Sequence, residues 1–145
     1  MPRVAAVTAV LQWVNGHPTL TGRGRPLDRG AFRELPRSPA PGCYLVLYRL
    51  DGADALTAEE PADEARIGGL VCGPDDEATE RAATAYANAV AALTGTPTAM
   101  GDVATCLVTD DIVGPQLVDN RAGTRGEHAY QVDATFFLVP FIPGV

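Results

Sequence analysis

The feature that most constrains the fold is a strand that leads directly into an alanine-rich helix. Residues 66–72 (RIGGLVC) have the apolar composition of a buried strand, in which Gly68 and Gly69 mark either a bulge or a close approach to the backbone. The following GPDDE starts a helix, because proline suits the first helical position and acids complement the helix dipole. We predict that this helix runs to about Thr94 and is capped by Gly95.

The predicted helix has one face of small and apolar side chains, which lets it lie close against a sheet. That face comprises Ala78, Ala82, Ala85, Tyr86, Ala89, Val90 and Leu93. Apolar residues at helical spacing predict a second helix near the N-terminus, ended by Asn15 and Gly16. They are Val4, Val7, Leu11 and Val14, with Ala6, Val10 and Trp13 beside them.

Three further strands are predicted from composition and alternation. Residues 43–50 (CYLVLYRL) are rich in aromatic and branched side chains. Residues 104–109 (ATCLVT) read as a strand that is broken at Asp110 and Asp111, and residues 112–118 could continue it beyond a kink. Residues 127–139 alternate between two faces. The apolar face of that last strand consists of Tyr130, Val132, Ala134, Phe136 and Leu138.

The order of elements is α-β-β-α-β-β, which predicts an α+β fold with two helices packed on a mainly antiparallel sheet of four to five strands. A length of 145 residues corresponds to one domain, 1–145. This domain carries a basic loop at 16–42, rich in Gly, Pro and Arg, and an acidic loop at 51–65. A loop as long as 16–42 in a small domain is typical of a binding function.

Charge is unevenly distributed along the chain, whose net charge is −7. Residues 1–50 carry seven arginines against two acids, residues 51–80 carry ten acids against one arginine, and residues 81–145 carry three arginines against six acids. Opposite charges on two parts of one domain suit head-to-tail self-association. The alternative is a set of solvated loops that maintain solubility. A pI of about 4.6 does not suit a protein that reads nucleic-acid sequence.

No enzymatic site is predicted. The chain has no lysine, which excludes Schiff-base chemistry and a phosphate-binding P-loop lysine. His17 and His128 lack metal-ligand spacing, and the only serine, Ser38, is flanked by a proline instead of standing at a strand–turn–helix junction. Asp110 and Asp111 could form an acid–base pair but are more typical of turn residues. We therefore expect no catalytic residue, no cofactor and no metal.

The cysteines and the apolar segments indicate a cytosolic site of synthesis without a membrane partner. Cys43, Cys72 and Cys106 each lie in an apolar run, so we expect them to be buried and free. An odd number of cysteines without a secretion signal favours a reducing compartment. The late apolar segment ATFFLVPFIPGV contains two prolines and is too short to span a bilayer.

The layout as a whole resembles a known family. A helix is followed by a proline-introduced strand (PRSPAPGCYLVLYRL), an acidic loop and a strand-to-helix segment (ARIGGLVCGPDDEATERAATAYANAVAAL). A closing hairpin follows, whose last strand reads HAYQVDATFFLVP. This layout resembles the tail terminator (tail completion) proteins of long-tailed bacteriophages, particularly those that infect GC-rich actinobacterial hosts. The resemblance covers most of the chain and concerns architecture, length and strand composition.

The resemblance implies a structural role and no enzymatic activity. Proteins of this family form a hexameric ring that caps the tail tube, stops its polymerisation and joins it to the head. The implied partners are further copies of the chain, the major tail tube protein and a head-completion or neck protein, while DNA passes through the ring without specific binding. The implied location is the tail–head junction of the virion, reached after assembly in the host cytoplasm. Two alternatives are a head–tail joining or neck component of the same particle, and a small-molecule-binding or enzymatic α+β domain.

Candidate contacts with a neighbouring subunit or with the tube lie in three places. They are the basic-loop residues Arg23, Arg25, Arg29, Arg33 and Arg37, the helix-start residues Asp75 and Asp76, and Phe141 near the C-terminus. The arginines have two other interpretations, which are non-specific contact with DNA phosphates and simple solvation.

Overall fold

The computed structural model describes residues 4–36, 41–50, 62–118 and 127–141. These residues form two helices and six strands. In chain order they are α1 (Ala6–Asn15), β1 (Ala31–Phe32), β2 (Tyr44–Arg49), β3 (Asp63–Gly73), α2 (Asp76–Ala91), β4 (Thr98–Met100), β5 (Ala104–Leu117) and β6 (His128–Pro140). The predicted α+β class with two helices is confirmed.

All six strands belong to one sheet, in the order β1-β2-β3-β6-β5-β4. The predictions of four to five strands and of the order α-β-β-α-β-β were wrong, because β1 and β4 were missed. Strand β1 pairs with β2 in parallel and the other neighbours are antiparallel, so the sheet is mixed. The basic loop at 16–42 therefore contains a strand. Residues 51–61 of the predicted acidic loop lie outside the described residues, and residues 63–65 at its predicted end belong to β3.

Both helices pack on the same face of the sheet, and the main core lies between the helices and the sheet. The buried residues there come from α1, α2 and the inward faces of all six strands, as Val10, Leu45, Ile67, Tyr86 and Phe136 illustrate. The sheet curls so that both of its edge strands, β1 and β4, contact α1. The opposite face of the sheet has no helix on it in the part of the chain that the structure describes.

Helix α2 is present as the sequence predicts, but its first residue, its last residue and its buried face differ from the prediction. Asp75 is the N-cap, and its carboxylate accepts a hydrogen bond from the Ala78 backbone N–H at 2.9 Å. Pro74 thus precedes the helix, and the helix ends at Ala91 instead of Thr94. Its buried face is also rotated from the predicted one, because Ala78 is exposed while three unpredicted positions are buried. Those positions are Thr79, Ala83 and Ala87.

Helix α1 shows a similar rotation. Ala9, which the predicted pattern omitted, is fully buried, whereas Val7 and Leu11 are only half-buried. The side chain of Asn15 at the end of α1 has a further role. Its amide accepts from the Ala31 N–H at 2.8 Å and donates to the Ala31 carbonyl at 3.2 Å. Asn15 thereby occupies the outer hydrogen-bonding groups of β1 and closes that edge of the sheet.

Strand β5 continues through Asp110 and Asp111 instead of breaking there. Its pairing with β6 contains register shifts between Cys106 and Val108, between Asp110 and Val113, and between Val113 and Gln116. Asp111 has a left-handed backbone with φ of 49°, which is tolerated by aspartate better than by most residues. The two aspartates therefore belong to a bulged part of β5, beyond the residues that pair with β4.

The predicted alternation along β6 is confirmed, since Tyr130, Val132, Ala134, Phe136 and Leu138 are all buried. The prediction of buried free cysteines is also confirmed for all three thiols. At Gly68 and Gly69 the pairing of β2 with β3 is regular, so these glycines mark close approaches and not a bulge.

Candidate interaction surface

The helix-free face of the sheet, which we call the open face, carries a band of apolar side chains. Alternation along the strands places Val46, Tyr48, Leu70, Val113 and Phe137 on this side. Val113 is 49% exposed and Tyr48 is 37% exposed, while Leu70 and Phe137 are half-buried. An apolar band with no helix over it is typical of a surface that binds another molecule.

A hydrogen-bonded group lies at the centre of the open face. The Tyr48 ring lies flat over Gly68, where a Cβ atom would be only 2.6 Å from Tyr48 Cε2. Gln131 Nε2 donates to the Tyr48 hydroxyl and to Asp133 Oδ1, at 2.5 Å each. Partial burial raises the pKa of Tyr48 above its ordinary value, and the hydrogen bond from Gln131 offsets part of that rise. The hydroxyl is therefore neutral at neutral pH and can still donate a hydrogen bond.

Acidic side chains lie among and beside the apolar side chains of the open face. Glu64 and Asp110 are exposed, and Asp133 is half-buried. Arg66 lies next to them and is held in place, since its Nη1 donates to the Thr135 hydroxyl at 3.1 Å and to the Asp111 carbonyl at 2.7 Å. The described part of the open face therefore has an excess of negative charge, which favours a cationic partner.

The basic loop forms an anchored turn, which we call the arginine turn, over residues 20–27. Leu20 and Leu27 at its ends are buried in the core, and the Leu27 N–H donates to the Leu20 carbonyl at 2.8 Å. Gly22 and Gly24 have positive φ angles of 125° and 77°, which make the turn narrow. Arg23 and Arg25 are both exposed on this turn.

Arg29 and Arg33 are used within the chain, so the described basic-loop arginines do not form one cluster. The Arg29 guanidinium lies 4.7 Å from the centre of the Tyr44 ring, in a cation–π contact. Arg33 donates a hydrogen bond to the Thr8 hydroxyl. Arg37 lies outside the described residues.

The cation–π contact is one of two contacts through which Tyr44 connects distant parts of the chain. The buried Tyr44 hydroxyl donates to Glu127 Oε1 at 2.6 Å, joining β2 to the start of β6. Burial, together with the bond to Glu127, raises the pKa of Tyr44 above its ordinary value, so it stays neutral. Arg29 therefore helps to hold β2 in place, in addition to its predicted role as a contact residue.

The other predicted contact residues lie at two different places. Asp75 caps α2, as described above, and Asp76 accepts a hydrogen bond from the Tyr130 hydroxyl at 2.8 Å. The same carboxylate lies 3.7 Å from His128 Nδ1. Phe141, just after β6, is 38% exposed. The structure thus places Asp75 and Asp76 near the helix start and Phe141 at the far end of β6.

A groove of about 500 Å³ lies on the helix side, between α1 and α2. Its walls are mostly apolar or small, including Trp13, Leu20, Ala89 and Leu93, and His17 lines it as well. The His17 ring packs edge-on against Trp13, with ring centres 5.4 Å apart. Among residues 4–36, 41–50, 62–118 and 127–141, no group of three or more His, Cys, Asp or Glu side chains is placed to hold a metal ion.

The open face was not identified from the sequence. Strand β2 (YLVLYR) is apolar on both of its faces, which reads as a fully buried strand. The available signal was the number of helices, since two helices on one side leave the outward residues of β2 without a helix over them. In the structure Tyr44 and Val46 are buried in a small second cluster with Cys72 and Ala129, whereas Tyr48 is 37% exposed.

The comparisons with known proteins add no relative. No protein-family model, curated protein or solved structure matches the chain. Neither helix in the described part of the chain has the length and apolar character needed to cross a membrane.

Proposed function

We propose that this protein is a structural subunit of a phage tail terminator, which forms a ring of six copies on the end of the tail tube. The observation that carries the proposal is the open face, an apolar band with acidic side chains beside it on one side of a small α+β domain. A surface of this kind suits a protein that works by binding other proteins. The layout that resembles tail terminators supports the same assignment.

The proposed ring stops growth of the tube and presents a second surface to the head or neck proteins. Exposed acids, together with the net charge of −7, suit a ring through which DNA moves without adhering, because like charges repel. In this proposal the chain has no catalytic residue and needs no cofactor or metal, and it works in the virion at the tail–head junction.

The direct test is to add the purified protein to the major tail tube protein of the same phage while that protein polymerises. One ring per tube end stops growth, so we expect shorter tubes at amounts far below one copy per tube subunit. Negative-stain microscopy then shows a six-fold ring at one tube end. An unrelated acidic protein of similar size is the control.

Two results separate the proposal from its alternatives. A neck component would bind isolated heads and leave tube length unchanged. A small-molecule-binding domain would remain monomeric both alone and with tubes, and tube length would not respond to it. Either result overturns the tail terminator assignment.

A further inference from the structure

We propose that the open face of one copy binds the arginine turn of a second copy, so that subunits join head to tail. This inference rests on the proposed function, because it names the contact that would close the ring.

The first step is that the edges of the sheet are unsuited to joining copies. Asn15 occupies the outer groups of Ala31 on β1, and β4 at the other edge has only three residues. Beyond β4 the outer edge of β5 is interrupted by register shifts, by Asp111 and by Pro115, which has no N–H to donate. Devices of this kind prevent strand addition, so association must use a face.

The second step is that the open face and the arginine turn are complementary. The open face offers the carboxylates of Glu64 and Asp110 beside an apolar band. The turn offers the exposed guanidiniums of Arg23 and Arg25 on a narrow backbone. Guanidinium–carboxylate pairs at an interface select the partner and fix its register.

The third step is that the turn is already ordered before it binds. Its ends are fixed by the buried Leu20 and Leu27, and the Arg25 N–H donates to the Gly22 carbonyl at 3.0 Å. A turn held in one shape loses little conformational entropy on binding, so more of the contact energy contributes to affinity.

The arginine turn and the open face lie on different sides of the sheet. Arg25 lies beside Ala78 and Arg81 of α2, on the helix side of the sheet, whereas the open face is on the other side. The two surfaces are therefore distinct, and a contact between them is heterologous. A heterologous contact leaves one free surface of each kind, so it repeats from copy to copy and gives a ring when the rotation between neighbours closes.

A charge-swap experiment tests the contact. The turn variant is Arg23→Glu/Arg25→Glu, the face variant is Glu64→Arg/Asp110→Arg, and a third chain combines all four changes. Self-association is measured by sedimentation velocity, alone and on tail tubes. We expect each two-residue variant to raise the dissociation constant by about tenfold or more, because two attractive contacts become repulsive.

The combined chain is expected to recover assembly, and so is a mixture of the two variants, since opposite charges again face each other. Asp102→Arg, an exposed change of the same kind in the turn before β5, is the matched control and leaves assembly unchanged. Thermal unfolding of every variant shows whether it is folded.

The outcomes distinguish this contact from the proposed function. Wild-type rings that both folded variants retain, or that the swap does not recover, overturn the contact and leave the tail terminator proposal standing. A wild-type chain that stays monomeric with and without tubes overturns both.

Discussion

At the residue scale, the side chain of Asp63 connects three parts of the chain. It is buried in the first position of β3, where its carboxylate accepts two hydrogen bonds from the Arg49 guanidinium, at 2.7 and 3.1 Å. The same carboxylate accepts the Val4 N–H at 3.1 Å. One side chain therefore ties the segment before α1 to β2 and β3.

We expect Asp63→Asn to lower the free energy of unfolding by about 2 kcal/mol, because it leaves the half-buried Arg49 without its charge partner. Urea unfolding followed by circular dichroism measures the loss. Asp102→Asn, at an exposed position, serves as the control and should change stability by only a few tenths of a kcal/mol. An Asp63→Asn variant as stable as the wild type would mean that the ion pair contributes nothing.

A second residue-scale prediction concerns Tyr130 at high pH. Its hydrogen bond to Asp76 raises the pKa of Tyr130 from 10 to about 12. Because the pKa in the folded state is above that of the unfolded chain, the resulting stabilisation is complete below pH 10 and is lost as the pH rises toward 12. The difference in unfolding free energy between the wild type and Tyr130→Phe should therefore shrink across that range. A difference that stays constant from pH 8 to pH 12 would contradict this pKa.

At the element scale, α2 depends on its first turn. The Asp75 cap accepts the Ala78 N–H, and the acids Asp76 and Glu77 complement the helix dipole. We expect Asp75→Ala to lower the free energy of unfolding by about 1 kcal/mol. Thr84→Ala, on the exposed side of the same helix, is the control and should be neutral or slightly stabilising. Equal effects of the two changes would exclude the capping role.

The long elements could be predicted from the sequence, whereas the short ones could not. Strands with five or more apolar or alternating residues were predicted, as was the strand-to-helix step into α2. The two missed strands, Ala31–Phe32 and Thr98–Met100, are too short to show a period. They exist because a longer neighbour pairs with them, and such pairing depends on the tertiary fold.

The helix faces were displaced for a related reason. Periodicity identifies a stripe of apolar residues, but the sheet decides which part of a wide stripe is buried. In α2 the alanines are so numerous that several faces fit, and the actual contact includes Thr79 and Ala87. The open face was still harder to predict from the sequence, because its acids become neighbours only through the pairing of β3, β5 and β6.

At the scale of the whole molecule, the three thiols report on two buried clusters, since Cys43 and Cys106 lie in the main core and Cys72 lies in a smaller cluster with Tyr44 and Val46. Cys43 precedes β2, while Cys72 and Cys106 lie in β3 and β5, and all three are buried. Burial raises the pKa of Cys43, and it raises the pKa of Cys106 to about 11. Because the thiolate is the reactive form, we expect no alkylation at pH 8 in the folded protein and complete alkylation in urea.

The rates at which the three cysteines are alkylated give more information than the final extent of alkylation. If the sheet opens as one cooperative unit, then the three cysteines are modified at one common rate below the unfolding midpoint. Peptide mass spectrometry separates them. A single thiol that reacts much faster than the others would show that its part of the sheet opens independently, against the prediction of one domain over 1–145.

The position of β6 determines when this molecule can fold during synthesis. It pairs with β3 on one side and β5 on the other, so before it emerges from the ribosome the sheet exists only as two unconnected halves. Each half lacks the strand that would cover its inner edge and complete its core. The nascent chain up to the end of β5 is thus a species with exposed strand edges, and folding must wait for residues up to Pro140 to leave the exit tunnel.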